Sequence, residues 1–176
     1  MAKKTTLSLK SMKENGEKIT MITAYDYSSA TLAQKAGIDT ILVGDSLQMV
    51  MLGDSSTIAA TTDVMIHHTK AVIAGAPDTF VVTDMPFGSC SSAATAIEHA
   101  TRIMKEGRCD AVKIEGGVSM APIIRAVVDA GIPVVGHIGL TPQTTSKLAD
   151  SKCRAKVKLR ERFWRTHWQF RKPALL

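Results

Sequence analysis

The chain has 176 residues, of which 45% are hydrophobic, and its formal net charge at pH 7 is +6. This length and composition suit one domain with a buried core, and they exclude a chain that is disordered throughout. There is no apolar run of about 18 residues, and no apolar segment follows the basic N-terminus, so neither a membrane span nor a signal peptide is expected. The three cysteines form no CxxC pair, so no zinc site or disulfide framework is predicted, and a cytoplasmic location is expected.

The positive charge is concentrated in one part of the chain. Residues 149–176 hold nine Lys or Arg and two acidic residues, a net of +7, whereas residues 1–148 carry a net of −1. Trp164 and Trp168 also lie in this basic tail. Basic residues interleaved with aromatic ones can bind single-stranded nucleic acid, so residues 152–172 offer a nucleic-acid binder as one alternative. It is the less favoured one, and nucleic acid is not expected as a partner.

Apolar runs and glycines predict alternating strands and helices after a polar capping segment over residues 1–17. Strands are predicted over Ile19–Ala24, Thr40–Val43, Phe80–Thr83, Ala111–Ile114 and Ile132–Val135. Helices are predicted over Ser28–Ala36, Val64–Ala74, Ser91–Lys105 and Ala121–Ala130, ended by Gly37, Gly75, Gly107 and Gly131. This alternation, at a spacing of roughly 30 residues, predicts an α/β fold with a parallel sheet and helices outside it.

An open doubly wound sheet and a (β/α)8 TIM barrel would both give this alternation. No G-x-G-x-x-G follows the first strand and no P-loop occurs, which disfavours a nucleotide-binding sheet. Polar groups end each predicted strand, and this favours a barrel, whose site lies at the carboxyl ends of its strands. A barrel needs eight strands, and about five βα units are predicted here.

Three predicted strands lead into carboxylates, at Asp45, Asp84 and Glu115. Because the carboxyl ends of parallel strands meet at one edge of the sheet, we expect these side chains to form a metal site. A single strand-terminal aspartate is more often a helix cap, so it is the repetition that favours a metal. Lys113 lies inside an apolar strand, where an unpaired ammonium would be costly, so a carboxylate or a substrate is its expected partner.

Five strings occur in order over about residues 5–148: TAYDYSSA, LVGDSL, DMPFGS, VKIEGG and GHIGLTPQ. In these strings the sequence resembles the ketopantoate hydroxymethyltransferase (3-methyl-2-oxobutanoate hydroxymethyltransferase) family. The resemblance implies a (β/α)8 barrel that binds Mg²⁺ and forms decamer-like homo-oligomers. It also implies a hydroxymethyl transfer from 5,10-methylenetetrahydrofolate to 3-methyl-2-oxobutanoate, through a Mg-stabilised enolate, giving 2-dehydropantoate for pantothenate and coenzyme A biosynthesis. The alternative is a related Mg-dependent 2-oxo-acid lyase or mutase of the phosphoenolpyruvate-mutase-like barrels.

The resemblance also assigns residues by position. It assigns three carboxylates to the metal: Asp45, Asp84 and Glu115. It assigns four residues to the 2-oxo acid: Asp45, Ser46, Asp84 and Lys113. Tyr25 and His137 match positions at the rim of the same pocket. The family's general base is a glutamate after a later strand, and nothing in residues 149–176 matches it, so no catalytic base is assigned.

Some residues depart from the family pattern or receive no function. Gln48 stands where the family has glycine and would be strained if its φ were positive. Arg108 replaces a small residue. His67 and His68 are expected on a solvated helix face. Cys90 is interpreted as a small buried residue, since no base can be assigned to it.

The change in composition near Leu148 predicts two regions, an incomplete catalytic barrel over residues 1–148 and a tail over residues 149–176 without family homology. The family continues after GLTPQ with a loop resembling GGFKVQGK, and one codon choice for residues 149–156 encodes that string when shifted by one nucleotide. We therefore expect a frameshift near Leu148 and a fragment that is inactive or impaired. The expectation fails if the other frame of the gene lacks this string.

Overall fold

The computed structural model describes residues 2–143, so the predicted boundary at Leu148 and the tail lie outside the described residues. Strands β1 to β5 span Met21–Thr23, Thr40–Val43, Phe80–Asp84, Ala111–Glu115 and Val134–His137. Helices α1 to α6 span Thr6–Glu14, Tyr27–Lys35, Leu47–Val50, Thr62–Gly75, Ala93–Arg102 and Ala121–Asp129. A π-helical turn, Ile103–Gly107, continues α5, and a 3-10 turn, Val118–Met120, precedes α6. Within this part of the chain, no helix combines the length and the apolar character that crossing a membrane requires.

The five strands form one parallel sheet in the order β1-β2-β3-β4-β5, which confirms the α/β prediction. The register aligns Val43 with Thr83, Asp84 with Lys113, and Glu115 with His137. Since neighbouring strands run in the same direction, their carboxyl ends lie along one edge of the sheet. This edge, called the carboxyl edge below, carries the polar residues that were expected to form a site.

The centre of the sheet is covered on both faces. All residues of β3 and β4 are buried, as expected for parallel strands that helices or other elements cover. Alternate residues therefore contribute to two apolar clusters. Val81, Val112 and Ile114 belong to the main core. Phe80 and Val82 pack with Leu9 of α1 on the opposite face, so the predicted capping segment is a helix that covers this face.

The two outer strands differ from their predictions. β1 is shorter than Ile19–Ala24 and is exposed rather than buried, with Met21 49% and Ile22 45% accessible. Within residues 2–143, β1 pairs with β2 alone. The apolar run therefore correctly indicated a strand, but it did not indicate whether other elements bury that strand. β5 begins at Val134 and extends to His137, beyond the predicted Ile132–Val135, because pairing with β4 continues as far as Glu115.

The predicted glycine at the end of α5 does not end that helix in the expected way, unlike the glycines after α2 and α6. Gly37 and Gly131 have positive φ directly after α2 and α6, as predicted. Gly107 instead lies inside the π-helical turn, and Arg108 takes the left-handed conformation after it, with φ 64° and ψ 26°. Arg108 is the one non-glycine residue with positive φ in the described chain, so Gln48 does not meet the condition under which strain was expected there.

A close helix crossing explains why α4 contains Gly75 rather than ending before it. A Cβ added at Gly75 would overlap the carbonyl oxygen of Tyr27 and lie 3.1 Å from the Cβ of Ala30. Both of those residues belong to α2. The absence of a side chain therefore sets how closely α2 and α4 approach, and this crossing supports the loop that carries Tyr25.

Candidate functional site

The carboxyl edge brings together side chains from four strands. Asp84 ends β3, Lys113 and Glu115 belong to β4, and His137 ends β5. Asp45 follows β2 by two residues, and its backbone N–H donates to Asp84 Oδ2 at 3.0 Å. Residues that are 39 positions apart in sequence therefore meet because β2 and β3 are adjacent parallel strands.

Lys113 lies between two carboxylates. Its Nζ is 3.0 Å from Asp84 Oδ1 and 3.5 Å from Glu115 Oε1. The three side chains are only 10%, 4% and 3% exposed, so water screens these charges weakly. The structure thus gives the strand lysine two carboxylate partners. With Asp45 included, three carboxylates face one ammonium, which leaves two negative charges in excess.

One carboxylate oxygen of Asp84 lies beside a positive charge. Its Oδ1 is 3.0 Å from Lys113 Nζ and has no other polar partner among residues 2–143. Burial raises the pKa of Asp84 to about 6, and the nearby charge of Lys113 limits the rise. A divalent cation at this oxygen would share it with the Lys113 ammonium or replace that contact.

His137 and Glu115 form a second contact at this edge. His137 Nδ1 lies 3.0 Å from Glu115 Oε1 and 3.3 Å from Lys113 Nζ. A proton on Nδ1 would be donated to the carboxylate. Burial disfavours the ionised form of Glu115, but the bond from His137 and the charge of Lys113 outweigh burial and lower its pKa. Glu115 is therefore held as a carboxylate.

Gln143 completes the edge, and the sequence analysis assigned it no role. Its Nε2 donates to Asp45 Oδ2 and to the Met85 carbonyl oxygen, both at 2.8 Å. Its backbone N–H donates to Glu115 Oε2 at 3.2 Å. Burial raises the pKa of Asp45, and the bond from Gln143 opposes that rise. The one available signal was its position at the end of the string GHIGLTPQ.

Tyr25 and Ser46 meet beside the carboxylates, with their hydroxyl oxygens 2.8 Å apart. His68 Nδ1 lies 2.6 Å from the Tyr25 carbonyl oxygen, which can only accept, so Nδ1 carries the proton. His67 is exposed, but His68 is half-buried, so the expectation of a solvated face is wrong for His68. Its partner lies 43 residues away, and the local helical pattern could not show it.

The donor set fits Mg²⁺. Asp45, Asp84 and Glu115 offer the carboxylate oxygens that this ion prefers, and the excess of two negative charges matches a divalent cation. Within residues 2–143, however, no three His, Cys, Asp or Glu side chains are spaced as a ready-made metal cluster. Lys113 and Gln143 lie between the carboxylates and supply N–H donors to them. The three predicted ligands therefore share one edge but are bridged by two other residues.

Two other sequence interpretations lie away from this edge. Cys90 is half-buried and not fully buried as predicted, but burial still raises the pKa of its thiol, which agrees with an unreactive side chain. The basic segment 152–172, on which the nucleic-acid alternative depends, lies outside the described residues.

Comparison with known proteins shows which family the chain matches and how much of its relatives' length the chain spans. A model of the ketopantoate hydroxymethyltransferase family matches residues 3–166, which includes part of the segment expected to lack family sequence. The 3-methyl-2-oxobutanoate hydroxymethyltransferase of Heliobacterium modesticaldum is 57% identical over 159 residues, covering 89% of this chain and 58% of that protein. The chain spans about half the length of the curated relatives it matches.

Solved structures show the same fold at low identity. A 2,3-dimethylmalate lyase of the PEP mutase/isocitrate lyase superfamily gives a TM-score of 0.59 at 23% identity, covering 74% of this chain and 51% of that one. A phosphonopyruvate hydrolase in complex with oxalate and Mg²⁺ gives 0.62 at 14% identity, covering 73% and 50%. These similarities support the predicted (β/α)8-barrel class, of which residues 2–143 form five strands. The sequence match identifies the lineage, and the chain belongs to the ketopantoate hydroxymethyltransferase family.

Proposed function

We propose that the site of this protein belongs to an enzyme that transfers a hydroxymethyl group from 5,10-methylenetetrahydrofolate to 3-methyl-2-oxobutanoate and produces 2-dehydropantoate for pantothenate and coenzyme A biosynthesis, and that the chain with its present tail is inactive or impaired. The observation that carries the proposal is the buried arrangement of Asp84, Lys113 and Glu115 at the carboxyl edge. It occurs in a chain whose family is named for this reaction. The alternative of a related lyase or mutase has support from fold similarity alone.

Asp45, Asp84 and Glu115 are the proposed ligands of Mg²⁺. The ion would act as a Lewis acid on the ketone of the 2-oxo acid and make the proton on C3 more acidic. The phosphonopyruvate hydrolase of similar fold was solved with Mg²⁺ and oxalate, a dicarboxylate that resembles the 2-oxo-acid end of this substrate. That structure supports the type of ligand, and the identity of the substrate rests on the family.

Lys113 and Ser46 are the proposed contacts of the substrate carboxylate and carbonyl edge. The Lys113 ammonium is already shared by two carboxylates, so a third anion can join it if the divalent cation takes over part of the charge on Asp84 and Glu115. Tyr25 orients the Ser46 hydroxyl from the rim of the site, and His137 fixes Glu115. The resemblance assigns removal of the C3 proton to a glutamate after a later strand, which no residue of this chain matches.

The proposal is tested with the protein whose reading frame is restored near Leu148, by incubating it with both substrates and Mg²⁺ and measuring 2-dehydropantoate by mass spectrometry. Asp84→Asn should lower the rate at least about 100-fold, because it removes a charge from the centre of the site. Asp63→Asn is the matched control, since the Asp63 side chain is 77% exposed and pairs with Arg102 at the surface. An Asp84→Asn variant as active as the control, or a protein with the restored reading frame that forms no product, would reject the proposal.

We also propose that the protein assembles into the decamer-like homo-oligomer implied by the family resemblance. The exposed apolar residues of the segment after β2, Met49, Val50, Met51 and Leu52, support an interface there. Light scattering coupled to size-exclusion chromatography would measure the assembly. A monomer at micromolar concentration would contradict it.

For residues 149–176 we propose a reading-frame shift near Leu148. The abrupt change from a net charge of −1 to +7 supports it. Sequencing the DNA that encodes Lys147 to Lys156 is the direct test. If the shifted frame does not encode GGFKVQGK, the basic segment is genuine and should be assayed for single-stranded DNA binding.

A further inference from the structure

Gln143 connects three strand ends through one side chain and one peptide N–H. The carboxamide Nε2 reaches Asp45, beyond β2, and the carbonyl of Met85, beyond β3. The backbone N–H reaches Glu115 at the end of β4. Because Gln143 itself follows β5, the contacts of this residue span four adjacent strands.

The geometry fixes the side chain completely. A carboxamide nitrogen carries two N–H groups, and here both have acceptors at 2.8 Å. Since both partners are oxygen atoms that accept, the nitrogen and not the oxygen of Gln143 must face them. The orientation of the amide is therefore determined by its neighbours, and the Asp45 carboxylate is held in turn.

The charge of the donor matters as much as its position. Lys113 offers a full positive charge to Asp84 and Glu115, and this competes with a metal ion for the same oxygens. Gln143 offers hydrogen bonds to Asp45 and Glu115 without adding charge. It can restrain two proposed metal ligands while leaving the excess of two negative charges that attracts a divalent cation.

We propose that Gln143 is a positioning residue for the divalent metal. Gln143 fixes the carboxylates of Asp45 and Glu115 before the ion binds. This inference rests on the proposed function, because it takes those residues as ligands. Partners that orient metal ligands typically change metal affinity by about 10- to 100-fold when they are removed. Gln143 therefore sets the affinity for the ion, although it need not contact it.

The test measures binding of Mn²⁺, a paramagnetic substitute for Mg²⁺, to the full chain by electron paramagnetic resonance of the free ion. Gln143→Ala removes the side-chain bonds to Asp45 and Met85 and keeps the backbone N–H that faces Glu115, and the loss of the Asp45 bond should weaken Mn²⁺ binding about 10- to 100-fold. Gln34→Ala is the matched control, since the Gln34 side chain also bonds to a residue distant in sequence: its Oε1 accepts from the backbone N–H of Asp78 at 2.8 Å, near the amino ends of the strands. Melting temperatures of the metal-free variants show whether each one folds.

A purely structural role would lower the melting temperatures of both variants and leave both Mn²⁺ affinities unchanged, and this would overturn the inference. If Gln143→Ala does not fold, Gln143→Asn replaces it in the test, because asparagine keeps the amide and is one methylene shorter. The Mn²⁺ affinity of Gln143→Asn should lie between those of the unmodified protein and Gln143→Ala. An unmodified chain that binds no Mn²⁺ would overturn both this inference and the proposed metal site. If Mn²⁺ binding follows the expected variant pattern but the protein with the restored reading frame forms no product, the proposed reaction alone is overturned.

Discussion

Replacing Lys113 by methionine removes one positive charge from the carboxyl edge and keeps a long side chain. Asp84 and Glu115 would then remain buried without their shared cation. Removal of one partner of a buried ion pair typically costs about 3–5 kcal/mol. Since the free energy of unfolding of a domain is about 5–15 kcal/mol, the metal-free variant should lose a large part of its stability.

The loss should depend on pH in a defined direction. The pKa of Asp84 is raised from its ordinary value of 3.8 to about 6, so the folded chain holds this proton more tightly than the unfolded chain. The Asp84 carboxyl therefore stabilises the fold as pH falls through that interval. Lys113 is the main group that opposes the rise, so the variant should gain more stability than the unmodified protein on acidification. The deficit should be largest near about pH 8 and smaller near about pH 5.

Urea unfolding at these two pH values, without metal, measures both effects. Lys70→Met is the matched control, because Lys70 lies exposed on α4 and its replacement should change stability by no more than about 0.5 kcal/mol. A Lys113→Met deficit below about 1 kcal/mol at the higher pH would refute the reasoning. A deficit that does not change between the two pH values would show that the carboxylates are not the source of the cost.

Three further predictions concern the fold around the site. Gly75→Ala should destabilise the protein by about 1–3 kcal/mol in urea unfolding, since the new methyl group meets the Tyr27 backbone. The control Gly136→Ala should cost less than about 1 kcal/mol, because nothing lies within 4 Å of the added Cβ. Equal losses would contradict the close crossing of α2 and α4. Arg108→Gly should raise the melting temperature by about 2–4 °C, because glycine adopts φ 64° without strain. The control Arg125→Gly lies inside α6 and should lower the melting temperature. A lower melting temperature for Arg108→Gly would exclude backbone strain at residue 108. The Asp39 carboxylate accepts two hydrogen bonds from Thr20 at 2.8 Å, and the bond from the backbone N–H is the main cause of the lowered pKa of Asp39. The ionised carboxylate therefore stabilises the fold at pH values above 3.8, and this stabilisation is lost as pH falls through the lowered pKa. The stability difference between Asp39→Asn and the unmodified protein should therefore shrink below about pH 4, and a constant difference in acid unfolding experiments would count against this.

The central strands could be predicted almost to the residue from sequence. Thr40–Val43 was predicted with the bounds that the structure shows, and the strands that end in Asp84 and Glu115 were predicted one residue short. Apolar β-branched residues between glycines leave few alternatives there. The exposure of β1 could not be predicted in the same way, because hydrophobicity indicates what a strand could bury and not which element covers it.

The candidate site was predictable where a residue is fixed by its strand. Asp45, Asp84, Lys113, Glu115 and His137 lie at the expected edge because the parallel order places them there. Gln143 and His68 were missed for another reason. Their partners lie up to 98 residues away and include backbone carbonyls, which carry no sequence signal. A carboxylate partner for Lys113 was expected from its place in an apolar strand, whereas the bridging of Asp45 and Glu115 by Gln143 follows from three-dimensional geometry alone.

The strand order has a consequence for how the protein emerges from the ribosome. Because each strand pairs with the one made just before it, every βα unit can dock on finished structure without waiting for a later part of the chain. The carboxylates would then gather one at a time during synthesis, at Asp45, then Asp84, then Glu115. The bond between Gln143 and Asp45 forms last among these contacts and links the newest segment to a much older one. A fluorescent pair that reports this distance would therefore show when the nascent chain acquires a finished site.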